Sequence, residues 1–597
     1  MSRRIRIGCA SGFWGDSEHG AHQLLYRDRV DYLVFDYLSE VTMSILARAR
    51  AKDPSLGYAR DFVTPTLSSL LCRIKETGTR VLANAGGINP LSCRDALAAI
   101  AAEQGIALRI AVVLGDDLMP IADQLRKADV RHLDDGSPLP QKLHSVNAYI
   151  GAAAIRDALA VGADIVITGR CADSALVLAP LMHEFGWRED DYDQLASGSL
   201  AGHIVECGVQ AVGGNFTDWE DVDGWDDMGF PIVDCAADGS FIVTKPEGTG
   251  GLVTPLTVGE QLLYELGDPS TYILPDVVCD FTDVRLVDLG SDRVEVRGAR
   301  GRAPTPLYKV SATYQDGFRS TAMFTMVGRN NKAKIEKVGN AILARTRRLF
   351  AERGLQDYRR VSLKVIGAED IYGPHAREGA IASREQVLRL DVHHNQAEAL
   401  KLFTREIAPA GTAMGPGRCS LVGGRPDVTP LVRLFSFLWP KEKTPLAIDF
   451  EGARFPVRIP PGEALATLPP CAAPACDPSA AGGASRAVPL AEIAVARSGD
   501  KGDIANIGVM ARDERFVPVI ASQLTAEAVK AYFAHLAKGK VERFYLPGLK
   551  AFNFLLHEAL DGGGVASLRN DPLGKCFAQM LLDLPVDVPV ALLDGKC

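Results

Sequence analysis

The chain lacks the signatures of several common enzyme classes. No GxGxxG pattern opens a helix, no GxxxxGK[ST] loop occurs, and neither GxSxG nor HExxH is present. These absences exclude a dinucleotide-binding fingerprint, a phosphate loop, a nucleophile elbow and a zincin helix. The twelve cysteines are scattered and form no CxxC pair. Free thiols in a reducing cytoplasm fit this spacing better than a disulfide framework. No run approaches the roughly 18 apolar residues of a membrane span, and no apolar stretch follows the basic N-terminus as in a signal peptide. The net charge of −9 and the lack of a basic block argue against a nucleic-acid partner.

What is present is ordinary soluble-protein material, 47 % hydrophobic and 23 % charged over 597 residues. That length suggests about two to four domains. Apolar runs at 4–10, 31–36, 80–83, 108–114 and 164–168 read as strands, separated by stretches of helical period. The alternation predicts an α/β region with a parallel sheet, right-handed crossovers and helices on both faces. Residues 1–220 form this region and are expected to bind a ligand. Residues 221–460 read as an α+β region packed on the first, with short strands at 241–244, 308–312 and 321–327 and a helix near 332–352. Residues 467–487, rich in Pro, Ala and Gly, read as a linker. Residues 488–597 read as a small α+β domain. In it, Phe552, Leu555, Leu556 and Ala559 take helical spacing, and Ser498-Gly-Asp-Lys-Gly-Asp503 sits at a strand–helix junction.

In a parallel sheet the loops at 11–17, 84–90, 115–117 and 169–174 share one rim, where ligands of open α/β sheets bind. The stretch Asn84-Ala-Gly-Gly-Ile-Asn89 runs from a strand into a helix opened by Pro90. Free backbone N–H groups there, and at Ser11, Gly12 and Trp14, would suit an anion. Gly86 and Gly87 could equally make only a tight turn. Asp116 and Asp117 end a buried strand and could hold a divalent cation or move a proton; capping a helix is the alternative. Arg170 could clamp a carboxylate or phosphate, or pair with Asp116 or Asp173. His203 and Glu206 fall three apart on a helix, which suits an acid/base pair, a metal half-site or a structural histidine. Lys501 adds a cation in the C-terminal domain. His393 and His394 read as a strand end. No metal ligand set emerges.

Several stretches together resemble one family. Gly8-Cys-Ala-Ser-Gly-Phe-Trp-Gly-Asp16, Asp31-Tyr-Leu-Val-Phe-Asp36 and its continuation to Met43, Asn84 to Pro90, Gly115-Asp-Asp117 and Thr168-Gly-Arg170 look like the acyclic terpene utilisation protein A (AtuA) family. The Ser498–Asp503 domain resembles the ferredoxin-like domain often fused at its C-terminus. The resemblance implies a role in citronellol and geraniol degradation, or in that of related branched acids processed as coenzyme A thioesters. It carries over no catalytic residues. The expectation is a cytoplasmic homo-oligomeric lyase or hydratase acting on a branched acyl-CoA or carboxylic acid. Asp116, Asp117, His203 and Glu206 are the candidate catalytic groups. Ser11, Gly12, Trp14, Asn84, Gly86, Gly87, Asn89, Arg170, Asp173 and Lys501 are the candidate binding groups. Coenzyme A as substrate carrier and a divalent metal are the candidate cofactors. A non-catalytic scaffold of a catabolic complex and a metal-dependent carboxylate hydrolase are the alternatives.

Overall fold

The computed structural model describes residues 3–419, 423–466 and 484–593. Its N-terminal part alternates as expected. In order come β1 (Arg4–Cys9), α1 (His19–Tyr26), β2 (Tyr32–Phe35), α2 (Glu40–Lys52), α3 (Leu71–Thr77), β3 (Arg80–Ala83) and α4 (Pro90–Glu103). Then follow β4 (Ile110–Leu114), α5 (Ala122–Lys127), β5 (Ser145–Ala148), α6 (Ala153–Ala160), β6 (Ile165–Ile167), α7 (Ala175–Phe185) and α8 (Tyr192–Val205). Strands β1, β2, β3, β6 and β4 lie side by side, all parallel. Their side chains divide with period two. Leu33, Phe35, Val81 and Ile167 join Leu24, Leu46 and Leu97 in the core under α1–α4. Val34, Leu82, Val113 and Val166 face the other way, toward Ile155, Leu178 and Leu200 of α6–α8. Burial on both faces is why these strands read as unbroken apolar runs.

The sheet continues across the boundary read at residue 220. Strands β7 (Ile232–Ala236) and β8 (Phe241–Thr244) add antiparallel beyond β1, and a hairpin at 447–456 adds beyond β4. Strand β5 leaves this layer and pairs with the long strand Leu307–Val327. The runs expected at 308–312 and 321–327 are both parts of that one strand, which is irregular between Gln315 and Phe318. It is the spine of a second sheet with the strands Arg360–Ile366, Glu385–His394 and Thr429–Pro440. The helix expected near 332–352 spans Asn331–Glu352.

The C-terminal domain is a four-stranded antiparallel sheet with helices. Two expectations fail there. Ser498–Asp503 does not enter a helix: strand Ala494–Lys501 turns back at Gly502 into strand Ile504–Ala511. Phe552, Leu555 and Leu556 lie in a strand, Ala551–Leu556, pinned between two others and buried on both sides. An apolar run buried on both faces mimics a helical pattern. Most of the expected linker, with Cys471 and Cys476, lies outside the described residues.

The domain docks on α9 (Pro255–Leu263), whose start is fixed by a reciprocal Thr254–Thr257 capping box and by Pro255 in the first turn. The Asn506 side chain donates to the Leu263 carbonyl at 2.8 Å and accepts the Glu265 N–H at 2.9 Å. Asn553 donates to the carbonyls of Leu266 and Gly267 at 2.9 and 2.7 Å. Val495, Met510 and Leu546 belong to the same core as α6–α8. Among the described residues the cysteines are free thiols, and no helix is long and apolar enough to cross a membrane.

Candidate functional site

The loops after β1, β2, β3, β4 and β6 meet at the carboxyl rim of the parallel strands. Hydrogen bonds lace them together. Asp36 N–H donates to the Ser11 carbonyl at 3.1 Å, Gly86 N–H to the Thr168 carbonyl at 3.0 Å, and Arg170 N–H to Asp116 Oδ2 at 2.8 Å. The convergence expected from the strand pattern is therefore present, but its chemistry differs from the expectation.

The glycine loops are not open anion cradles. The N–H groups of Asn84, Gly86, Gly87, Ile88 and Asn89 all donate to carbonyls of the protein. Asn89 holds the neighbouring loop through the carbonyls of Pro54 and Leu56. In the first loop Gly12 N–H donates to Asp16 Oδ2 at 2.8 Å, Trp14 N–H to the Tyr37 carbonyl and the Trp14 indole to Asp61. Gly12 is a spacer: a Cβ there would come within 2.5 Å of the Cys207 carbonyl carbon. Ser11 donates to the Phe13 carbonyl and lines a cavity of about 170 Å³ whose wall includes Asp16, Glu18 and Asp61. Three carboxylates repel an anion there.

The two adjacent aspartates also part company. Asp116 is buried, and its carboxylate accepts from Arg170 N–H and from Asn147 at 2.9 Å. Burial lifts its pKa to about 7, with help from Asp117. A Cβ at position 169 would come within 2.4 Å of this carboxylate and displace it. Asp117 accepts the Met119 N–H at 2.9 Å and lines a different cavity, beside Arg50 and His144. It caps a turn. The two carboxylates face different surroundings, and among the described residues no group of three or more His, Cys, Asp and Glu is placed to hold a metal.

The charged groups that do gather come from these rim loops, from the end of α8 and from the C-terminal domain. Asn84 donates to Asp36 Oδ1 at 2.5 Å and accepts the Tyr37 N–H at 2.7 Å, fixing a buried carboxyl group at the end of β2. Burial first, and the charge of Asp173 second, hold Asp36 well above the usual carboxylate range, while Arg170 opposes them. Arg170 pairs with Asp173 at 2.5 Å, donates to the Cys171 carbonyl and stacks over the Tyr149 ring at 4.2 Å. From the end of α8, His203 Nε2 donates to the Leu262 carbonyl at 3.0 Å, which leaves Nδ1 against Glu206 Oε1 at 3.2 Å. Burial lifts Glu206 above its ordinary value; His203 opposes this and Asp173 adds to it. The imidazole and the carboxyl group thus face each other at hydrogen-bonding distance.

Lys501 reaches this group from the C-terminal hairpin. Crowding by protein draws its pKa down, but Glu265, Tyr272, Glu206 and Asp173 hold the ammonium well above its usual value. Its ammonium lies 3.3 Å from Glu265, which also meets Lys575 at 3.0 Å. Asp36, Asp173 and Glu206 are thus set against Arg170, His203 and Lys501, with Lys501 about half exposed.

A family model described as acyclic terpene utilisation family protein AtuA matches residues 5–450. The chain belongs to the AtuA family. A second model, the AtuA ferredoxin-like domain, matches residues 488–587 and covers the domain that supplies Lys501. No curated protein and no solved structure matches the chain. In this AtuA family member the rim unites Asn84, Arg170, Asp173, His203, Glu206 and Lys501 from the expected set. Ser11, Trp14, Gly86, Gly87, Asn89 and Asp117 serve neighbouring loops or cavities, and Asp116 braces Arg170 from behind. Asp36, Tyr149 and Glu265 were missed. Asp36 carried the same signal as Asp116, a carboxylate ending a buried strand.

Proposed function

We propose that this protein is a catabolic enzyme of acyclic terpene degradation, of the citronellol and geraniol type, or of related branched-acid breakdown. In this reading it acts as a lyase or hydratase on a branched carboxylic acid or its coenzyme A thioester. One observation carries it: two carboxyl groups, Asp36 and Glu206, are both held toward the protonated state within reach of two cations, Arg170 and Lys501. Carboxyl groups raised in this way suit acid/base chemistry. Hydration adds a proton at Cα and a hydroxyl at Cβ of an unsaturated acyl group, and the reverse step removes both as water. Neither direction needs an oxidant or reductant.

In the elimination direction the Glu206–His203 pair takes the α-proton and Asp36 protonates the departing hydroxyl. Lys501 steadies the negative charge that develops on the acyl oxygen, a contribution that water screening keeps modest at this half-exposed cation. Arg170, already neutralised by Asp173, orients the acyl group through its stacked guanidinium and Tyr149. Delivery of Lys501 by the C-terminal domain favours a composite active site over a purely docking role for that domain.

The test is incubation of the full chain with unsaturated and 3-hydroxy branched acyl-CoAs and with the free acids. Water addition or loss, abolished by Asp36→Asn, is the expected result. Absence of turnover and of binding across the whole panel would overturn the assignment.

A further inference from the structure

A second charged group sits on the other sheet, away from the rim. Across three neighbouring antiparallel strands, His393 lies directly opposite Arg319 on one side and Arg360 on the other. Directly opposed residues project from the same face, and like charges so placed destabilise a sheet. Arg359 and Arg433 act on the same imidazole.

The counter-charges do not balance. Arg359 and Arg433 share Asp316, at 2.8 and 2.6 Å, and Arg360 meets Asp561 of the C-terminal domain at 2.5 Å. Arg319 donates to the Val565 carbonyl at 2.8 Å. Four guanidinium groups thus face two carboxylates, an excess of two positive charges. His393 is 2 % exposed and its Nδ1 has no hydrogen-bond partner. A buried orphan nitrogen of this kind is costly unless something fills the position. Burial, and then Arg360, Arg319 and the other arginines, hold the His393 pKa down to about 4. The Arg359, Arg360 and Arg433 side chains are 31 %, 34 % and 30 % exposed, so a solute can reach them.

We propose that Arg319, Arg360, Arg433 and the Nδ1 edge of His393 form a binding site for a phosphate-class dianion at the seam between the second sheet and the C-terminal domain. Planar guanidinium forks match phosphate geometry, and two free positive charges match a dianion. The loop at 561–575 separates this seam from the hairpin that carries Lys501: Gly563 approaches the Gly502 carbonyl and Gly574 the Gly499 carbonyl. A phosphate borne on a thioester carrier and a free phosphate would both satisfy the chemistry. The site does not depend on the reaction assigned to the rim.

Calorimetric titration of the full chain with inorganic phosphate, coenzyme A and dephospho-coenzyme A tests this. One phosphate per chain should bind. Arg319→Gln and, separately, His393→Gln should each weaken it tenfold or more, whereas Arg348→Gln, on an exposed helix position, should leave it unchanged. Coenzyme A binding tenfold tighter than both phosphate and dephospho-coenzyme A would support the site and name the carrier; equal affinities would support it and name free phosphate. No binding of any of the three, or wild-type affinity in both the Arg319 and His393 variants, would overturn it.

Discussion

The rim cluster and the arginine row are both dense in charge, but they are built on opposite plans. At the rim, carboxylates and cations interleave, and each cation has an anionic neighbour: Arg170 has Asp173, His203 has Glu206 and Lys501 has Glu265. On the second sheet one sign dominates and the central imidazole is left without a partner. An interleaved cluster holds its own charge and can lend protons without an external ion. A single-sign cluster is complete only when an anion arrives. The contrast separates groups suited to chemistry from groups suited to holding a ligand in place.

Three experiments sharpen that division. The largest effect is expected at Asp36. Asp36→Asn keeps the acceptor for Asn84 in shape but removes the transferable proton, and kcat should fall roughly 10²- to 10⁴-fold, the usual range for one acid/base group. Circular dichroism and melting should stay close to wild type; an unchanged kcat would move the proton donor elsewhere.

Asp116 tests whether a rim carboxylate acts through stability instead. Its pKa is about 7 in the fold and near 3.8 when free, so the folded chain binds the proton more tightly. That stabilisation is complete below about pH 4 and is lost as pH rises through 7. Some three units at 1.36 kcal/mol each set an upper bound of roughly 4 kcal/mol. Urea unfolding at pH 4.5 and pH 7.5 should show a smaller difference in Asp116→Asn than in wild type. An identical pH dependence in the two proteins would remove this role.

The smallest effect is expected at Lys501. Lys501→Ala should raise KM or lower kcat about tenfold, the equivalent of roughly 1.4 kcal/mol, because an exposed cation is partly screened by water. Lys501→Arg should recover part of the loss. Full activity in the alanine variant would return the C-terminal domain to a docking role.

Much of the architecture was legible. Strands buried on both faces leave continuous apolar runs, so β1 to β4 and β6 and the meeting of their loops follow from pattern alone. The chemistry of the glycine loops was not. Whether Gly86 and Gly87 offer their N–H groups depends on Thr168 and Asn84 carbonyls, which no local spacing reveals. The doubly buried strand Ala551–Leu556 mimicked a helix for the same lack of alternation that made β2 easy to find. Lys501 and Glu265 meet across 236 residues, a distance no short motif encodes. The unmatched arginines needed strand register, since Arg319, Arg360 and His393 are neighbours only after pairing.

The hairpin bearing Lys501 has a consequence for how the polypeptide is partitioned. The segment between Ala466 and Ala484 keeps the two matched regions on one chain and so sets a high local concentration of one for the other. If the halves were made as separate polypeptides, assembly would become bimolecular. Specific activity would then rise with the amount of the smaller piece added and saturate at one per larger piece, so that supply of the smaller piece would work as a dosage control.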